Sequence, residues 1–575
     1  MSTEHNRGIL LSRSDLVVRF AGEGGQGLLS TATGLATAFT QVGYHSQTFA
    51  TFPSQIVGGP TWMQARISTK EILSRGDTID VLVAFNEHAY NNHRDEVSDS
   101  GIIIYDSEQF EPADKSKSLG MEFGKLAKST GNTRAANMVV MGALANVAGV
   151  PLDLLENFIK KRWASPRYGP EIVESNIQAL MLGYKEGDKN GLTLGELDKP
   201  IPPKHDQILI NGNDAIAIGA FYSGLKFYVG YPISPATTIL TWMQSNLIGD
   251  DRFVYQSSSE IESIASIIGA SYAGKKSMTA TAGPGFSLMA EGIGLAWMAE
   301  IPIVVTNVQR GGPSTGLPTK TEQSDLLSAI NPSHGDVSLP VIAPGTVEEC
   351  FSATVAAFNW AEKYQGPVVL LTEHSLAERQ QNIKRPDIDQ IEIHDRSKYT
   401  GGNGYLRYEN ETLSPMPIPG SAGSYVANGS EHDPMGDTTH LPERHIQMTN
   451  RRFSKLSLLE NETYEKTNEK SSICLMPWGG SKGPTLEVYN SLIQEGIDLA
   501  WYYTMYINPL PKKMIQELKN KKLVLVPELN YQGQFSSFLR SHQINAHSIT
   551  QYTGLPFKVT DLRKQITEIL KDKGI

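Results

Sequence analysis

Residues 277–316 read SMTATAGPGFSLMAEGIGLAWMAEIPIVVTNVQRGGPSTG. SMTAT (277–281) has strand character, and AGPGF (282–286) joins it to an apolar run long enough for a helix. IPIVVTNVQ (301–309) is a second strand that runs straight into Arg310. Strand, glycine turn, helix and strand again describe a parallel sheet covered by helices. The Gly-Pro-Gly turn exposes backbone at the carboxyl end of its strand, where open α/β sheets collect ligands, and Arg310 reaches the same edge.

The alternation extends outward in both directions. KFYVGYPISPATTI (226–239), SSSEIESIASIIGASYAG (257–274) and GPVVLLTEH (366–374) complete a unit spanning 207–381. Upstream, after a leader at 1–15, a unit at 16–195 opens LVVRFA, GEGGQG (22–27), then a helix-like LLSTATGLATAFTQVG, with strands at IDVLVAF (79–85) and GIIIYD (101–106). This is half of a βαβ unit, and the domain reads as parallel α/β. A Gly, Pro and charge mixture leads into a linker at 196–206. Residues 382–470 are irregular and rich in Gly, Pro, Asn and Asp; disorder is one reading, although Tyr405, Tyr408 and Tyr425 suggest a stretch that packs on something. The last 105 residues, 471–575, alternate ICLMPW, TLEVYNSLIQEG, LAWYYTMY, PKKMIQELKN, KLVLVPE and GQFSSFLRSH as a third, small unit. The expectation is three parallel-sheet α/β domains.

Composition narrows the function. At about 150 residues per domain, 575 residues suit two to four domains. Lys plus Arg number 51 against 61 Asp plus Glu, a net charge of −10 that disfavours a phosphate-backbone binder, so no nucleic-acid partner is expected. The longest apolar stretch, 138–150, contains Asn146 and is too short to span a bilayer, so a soluble cytoplasmic protein is expected. Two cysteines, Cys350 and Cys474, exclude a disulfide framework and cannot by themselves build a four-cysteine zinc or iron–sulfur site. No HExxH or HxxxH arrangement is present.

Several residues could carry chemistry. GEGGQG has GxGxxG spacing, and Gly22, Gly24, Gly25, Gln26 and Gly27 would bring a phosphate to a helix N-terminus. A nicotinamide dinucleotide needs an acidic residue about 20 positions on. None occurs between Glu23 and Glu71, so another phosphate-bearing ligand, or a plain βα turn, remains open. In SSSEIESIASIIGAS the first-turn acids could simply cap the helix. Glu260, however, shares its side with Ile264, Ile267 and Ile268, where an isolated carboxylate is costly, whereas Glu262 shares its side with Ala265, Ser266 and Gly269. Arg310 could pair with a surface carboxylate or grip a substrate carboxylate in bidentate fashion. YPISP (231–235) offers the Ser234 hydroxyl between two prolines at a third loop of the same edge.

GEGGQG, YPISPATTI, SEIESIASIIGAS, TATAGPGFSLMAEG and NVQRGGPSTGLPTKTEQSDL, in this order, resemble the alpha subunit of the 2-oxoacid:ferredoxin oxidoreductases with the gamma subunit fused at its N-terminus. The likeness spans nearly the whole chain and is nearest to enzymes acting on 2-oxoglutarate. It implies thiamine diphosphate chemistry with coenzyme A as acyl acceptor and ferredoxin as electron carrier, interconverting 2-oxoglutarate and succinyl-CoA plus CO2. Run in reverse, the same chemistry fixes CO2. Glu260 matches the glutamate that hydrogen-bonds the aminopyrimidine and promotes its imino tautomer. Tyr231, Pro232, Gly283, Pro284 and Gly285 fall on the pyrimidine side of that site. Arg310, 15 residues before Asp325, matches the arginine that holds the oxoacid carboxylate, and Ser234 stands where relatives usually carry threonine. GEGGQG is then assigned to coenzyme A. The resemblance puts Mg2+ and [4Fe-4S] ligands on a beta subunit and implies an (alpha-beta)2 assembly. Residues 471–575 resemble a transketolase C-terminal-like domain. Pyruvate or a branched-chain oxoacid is the alternative substrate, and a non-catalytic dinucleotide-binding scaffold the alternative class.

Overall fold

The computed structural model describes residues 12–53, 58–201, 203, 205–461 and 463–574, so most of the leader read at 1–15 lies outside the described residues. The chain forms two compact units. One comprises the chain up to Ile210 together with Arg379–Arg385, and the other Asn211–Glu378 with the chain from Pro386 onward.

The first unit is built on an eight-stranded sheet in the order Ser118–Met121, Val97–Asp106, Ile79–Ala84, Asp15–Glu23, Pro60–Ser68, His45–Thr51, Gln381–Lys384, Gln207–Ile210. The first four strands are parallel, as the βαβ pattern requires. The other four are antiparallel. For His45–Thr51 and Pro60–Ser68 the reason is reach: a parallel crossover needs a dozen or more residues, and the loop from Thr51 to Pro60 is shorter. Gln207–Ile210, read from the sequence as the start of the 207–381 unit, and Gln381–Lys384, read as its last residue and the start of the irregular segment, pair with each other and extend this first sheet. Leu16, Val18 and Phe20 alternate along Asp15–Glu23 into the core beneath helix Leu28–Gln41.

The second unit contains a seven-stranded sheet in the order Phe253–Gln256, Phe227–Gly230, Ser277–Thr281, Ile303–Gln309, Pro367–Glu373, Val341–Ile342, Tyr506–Asn508, parallel except for its last strand. A five-stranded sheet of the C-terminal region stands beside it, in the order Glu465–Thr467, Ala500–Tyr503, Ile473–Leu475, Leu523–Glu528, Ala546–Thr550. Tyr506–Asn508 belongs by sequence to the C-terminal region yet pairs with Val341–Ile342, so the two sheets share one unit. Irregular though it is, the 382–470 segment buries Tyr408 and Tyr425 and contains the α-helix Pro442–Ser454. Both cysteines are buried. Among the described residues no helix is long and apolar enough to cross a membrane.

Candidate active site

Phe253–Gln256, Phe227–Gly230, Ser277–Thr281 and Ile303–Gln309 are parallel neighbours, so the segments that follow them gather at one sheet edge. These segments are the start of helix Glu260–Tyr272, YPISP, AGPG, and Arg310.

The two first-turn acids have different surroundings. The Ser259 hydroxyl caps the helix by accepting the Glu262 N–H at 3.2 Å. The Glu262 carboxylate accepts both the backbone N–H and the hydroxyl of Ser258 at 2.7 Å, and these donors hold its pKa below the ordinary carboxylate range. Capping therefore belongs to Ser259 and Glu262. Glu260 is 5% exposed, on the side of the buried Ile264, Ile267 and Ile268, and among the described residues nothing donates to its carboxylate. A Cβ added at Gly285 would stand 2.5 Å from Glu260 Oε1 and 2.0 Å from Thr281 Oγ1, so the Gly-Pro-Gly turn presses directly on this acid. A buried carboxylate without a donor is costly unless something else completes it.

Arg310 is 7% exposed, and its Nη1 donates to the main-chain oxygen of Ser234 at 2.7 Å. Its Nε is buried and has no partner among the described residues, leaving a buried donor for another group. Burial lowers its pKa and nearby Asp325 opposes that shift. The Asp325 carboxyl is pushed up by burial, partly offset by Asn307 and Arg310. Asn307 Nδ2 donates to Asp325 Oδ2 at 3.0 Å, and the Asp325 N–H donates to Gln309 Oε1 at 3.0 Å. A Cβ at Gly283 would meet Asp325 Oδ2 at 2.8 Å. Arg310, Asp325 and the Gly283 turn are thus neighbours. Ser234 meets Arg310 through its carbonyl, and its hydroxyl makes no hydrogen bond among the described residues. Tyr231 is 40% exposed beside it and Pro232 is half-buried. Asn307 and Gln309 were not singled out from the sequence. Their signal was present: both are polar residues within a fully buried parallel strand, which seldom carries them without a task.

In the first unit, GEGGQG closes the strand Asp15–Glu23 and opens helix Leu28–Gln41. Gln26 folds back so that its Oε1 accepts the Glu23 N–H at 2.7 Å, and a Cβ at Gly22 would collide with that oxygen at 2.2 Å. Gly24 pairs with the 58–59 backbone, donating to Gly59 O at 3.2 Å and accepting from Gly58 N–H at 3.4 Å. Asn137 Nδ2 donates to Gln26 O at 3.1 Å and would meet a Cβ at Gly27 at 2.4 Å. Gly27 stands at φ 75° with no side-chain cap, and the first helical turn carries no acid. The helix N-terminus therefore retains its positive end of the dipole for an anion.

A family described as pyruvate flavodoxin/ferredoxin oxidoreductase, thiamine diphosphate-binding, matches residues 218–451, and one described as pyruvate ferredoxin/flavodoxin oxidoreductase matches residues 17–186. The chain is 30% identical to 2-oxoglutarate oxidoreductase subunit KorA of Mycobacterium tuberculosis over 97% of this chain and 92% of that one. It is 37% identical to 2-oxoglutarate synthase subunit KorA of Methanocaldococcus jannaschii, over 56% of this chain and 88% of that one. Among solved structures, the 2-oxoglutarate:ferredoxin oxidoreductase of Magnetococcus marinus with 2-oxoglutarate, coenzyme A and succinyl-CoA bound superposes with a TM-score of 0.91 at 36% identity, covering 97% of this chain and 99% of that one.

Proposed function

This chain belongs to the 2-oxoacid:ferredoxin oxidoreductases, as an alpha subunit with a gamma-type domain fused at its N-terminus, and from that premise we propose that its substrate is 2-oxoglutarate, converted reversibly with coenzyme A and ferredoxin into succinyl-CoA and CO2. The observation that carries the site assignment is Glu260: a buried acid, free of donors from the described residues, wedged under Gly285 at the edge where the buried Nε of Arg310 is open. The substrate assignment leans on relatives whose names specify 2-oxoglutarate.

Glu260, Gly283, Pro284, Gly285, Tyr231 and Pro232 would hold the aminopyrimidine end of thiamine diphosphate. When bound, that group supplies a nucleophilic carbon and an electron sink for the 2-oxo carbon. Glu260 would accept a hydrogen bond from the ring and so determine which ring nitrogen carries a proton. Arg310 would turn its unpaired Nε toward the oxoacid carboxylate, while the Ser234 carbonyl holds the guanidinium from the other side and Asp325 lies near enough to act on its charge. The Ser234 hydroxyl, exposed beside it, would donate to the substrate. The glycine turn Gly22, Gly24, Gly25, Gln26, Gly27 would take a phosphate of coenzyme A at the helix N-terminus. A beta subunit would bring the Mg2+ and [4Fe-4S] ligands, because two buried cysteines cannot hold a cluster. The assembly would be (alpha-beta)2, working in the cytoplasm.

Ferredoxin reduction by the chain reconstituted with its beta partner, compared across 2-oxoglutarate, pyruvate and branched-chain oxoacids, tests the assignment. A kcat/KM for 2-oxoglutarate at least about tenfold above the others is expected, the scale of one well-placed charged contact. Equal values would overturn the substrate assignment. In the same assay Arg310→Ala raises the KM for the oxoacid on the order of 10- to 100-fold and leaves that for coenzyme A unchanged.

A further inference from the structure

Among the described residues the connecting segment after Pro386 supplies none to the candidate site, yet its buried side chains converge on the far ends of the two helices that carry it. Helix Glu260–Tyr272 starts at Glu260 and ends against Arg396. The Arg396 guanidinium donates to the main-chain oxygen of Ser271, to the Ser271 hydroxyl at 3.0 Å, and to both oxygens of Glu362 at 2.8 and 2.9 Å. Next to it, Tyr272 Oη donates to Tyr425 O at 2.8 Å, and the two rings meet edge to face at 5.4 Å.

Helix Gly283–Met298 starts with the Gly-Pro-Gly turn and ends in the same segment's grip. Tyr408 Oη donates to Ala299 O at 3.0 Å, and Arg407 Nη2 to Glu300 O at 3.4 Å. The fully buried Glu300 carboxylate receives Arg451 at 2.8 and 3.1 Å and Lys455 at 3.0 Å. The last carbonyls of a helix have no partner within it and form the negative end of its dipole, so donors and cations there hold the helix by its tail. Both tails are held by one segment, and both heads meet where Gly285 presses on Glu260.

We propose that residues 396–455 are a clamp that sets how far the two helices project toward the sheet edge, with Arg396 and Tyr408 as positioning residues for the cofactor site. A helix transmits an axial shift from tail to head almost undiminished, because its ladder and the packed core around it resist compression. A shift of one helix against the other opens or closes the Glu260–Gly285 contact, and an error near 1 Å at reacting groups costs on the order of 10²-fold in rate. The clamp rests on the reading of Glu260 as the ligand of the aminopyrimidine.

The test uses the full chain assembled with its beta partner. Thiamine diphosphate binding is titrated by calorimetry, the tautomer of the bound aminopyrimidine is followed by circular dichroism, and kcat, KM for coenzyme A and Tm are measured alongside. Tyr408→Phe removes one hydroxyl and leaves the ring, so it keeps the fold. It and Arg396→Gln are expected to weaken thiamine diphosphate binding on the order of tenfold, reduce the tautomer signal and lower kcat, with KM for coenzyme A unchanged. Arg396→Lys should recover part of the loss. If Tm falls while binding, signal and kcat of the folded protein match wild type, the segment is only structural and the clamp is refuted. Glu260→Gln separates the two ideas. Wild-type behaviour in that variant removes the site reading and the clamp with it, whereas its loss beside intact Tyr408→Phe and Arg396→Gln removes the clamp alone.

Discussion

Glu260 and Glu262 stand two residues apart at one helix end, and their neighbours give them different tasks. Glu262 is satisfied by Ser258, while Glu260 has no donor among the described residues and lies against Gly285. Glu260→Gln should therefore abolish turnover, with a loss of at least about 10²-fold, and leave Tm within about a degree or two, because an amide fits the pocket but cannot replace the charged acceptor. Glu262→Gln should do the reverse, lowering Tm slightly with kcat retained, since it weakens the contact with Ser258 beside the cap and nothing else. Stopped turnover in Glu262→Gln with full activity in Glu260→Gln would reverse the assignment. The difference between these acids was legible in the sequence, because three isoleucines at helical spacing mark the side of Glu260. The service Ser234 performs was not. Its hydroxyl drew notice as the side chain, whereas the contact with Arg310 is made by the carbonyl, which every residue possesses.

At the scale of elements, strands that follow helices were legible because burial on both faces leaves apolar runs such as IVVTNVQ. Helix Pro442–Ser454 escaped notice for a physical reason: its buried face is Arg444, Met448, Arg451 and Arg452, so the spacing is helical but the chemistry is cationic. Apolar periodicity cannot find a helix that buries arginines against a glutamate. The glycine turn lies between these extremes. GEGGQG announced a strand-to-helix turn, but the back-folded Gln26 and the support from Asn137 and Gly58 depend on chain partners far away in sequence. Gln26→Ala frees the Glu23 N–H and loosens the turn, so the KM for coenzyme A should rise about three- to tenfold while that for the oxoacid stays put. A parallel rise in both constants would detach the turn from coenzyme A.

At the scale of the second unit, the irregular segment is joined to the sheet by Glu300, a point no local pattern could reveal, since its partners Arg407, Arg451 and Lys455 are more than 100 residues away in sequence. Burial alone would push the Glu300 carboxyl up, but Lys455, Arg451 and Arg407 outweigh it and hold the group well below its ordinary 4.5. A folded-state pKa below the unfolded one contributes stability that is present above about pH 4.5 and lost as pH falls further, because the unfolded chain then binds the extra proton. Glu300→Gln leaves the buried Arg407 and Arg451 guanidiniums without their counter-charge, beside a Lys455 whose pKa burial has already lowered to about 7, so unfolding at pH 7 should become easier by about 3–5 kcal/mol. Below pH 4.5 the unfolded wild-type chain takes up the proton while the native carboxyl stays ionised, so the gap between the two proteins should shrink with each further step in acid. Denaturant unfolding of both proteins from pH 7 to pH 3 measures that gap directly. A difference that stays constant across the range would mean that Glu300 fills space in the fold without acting as its counter-ion.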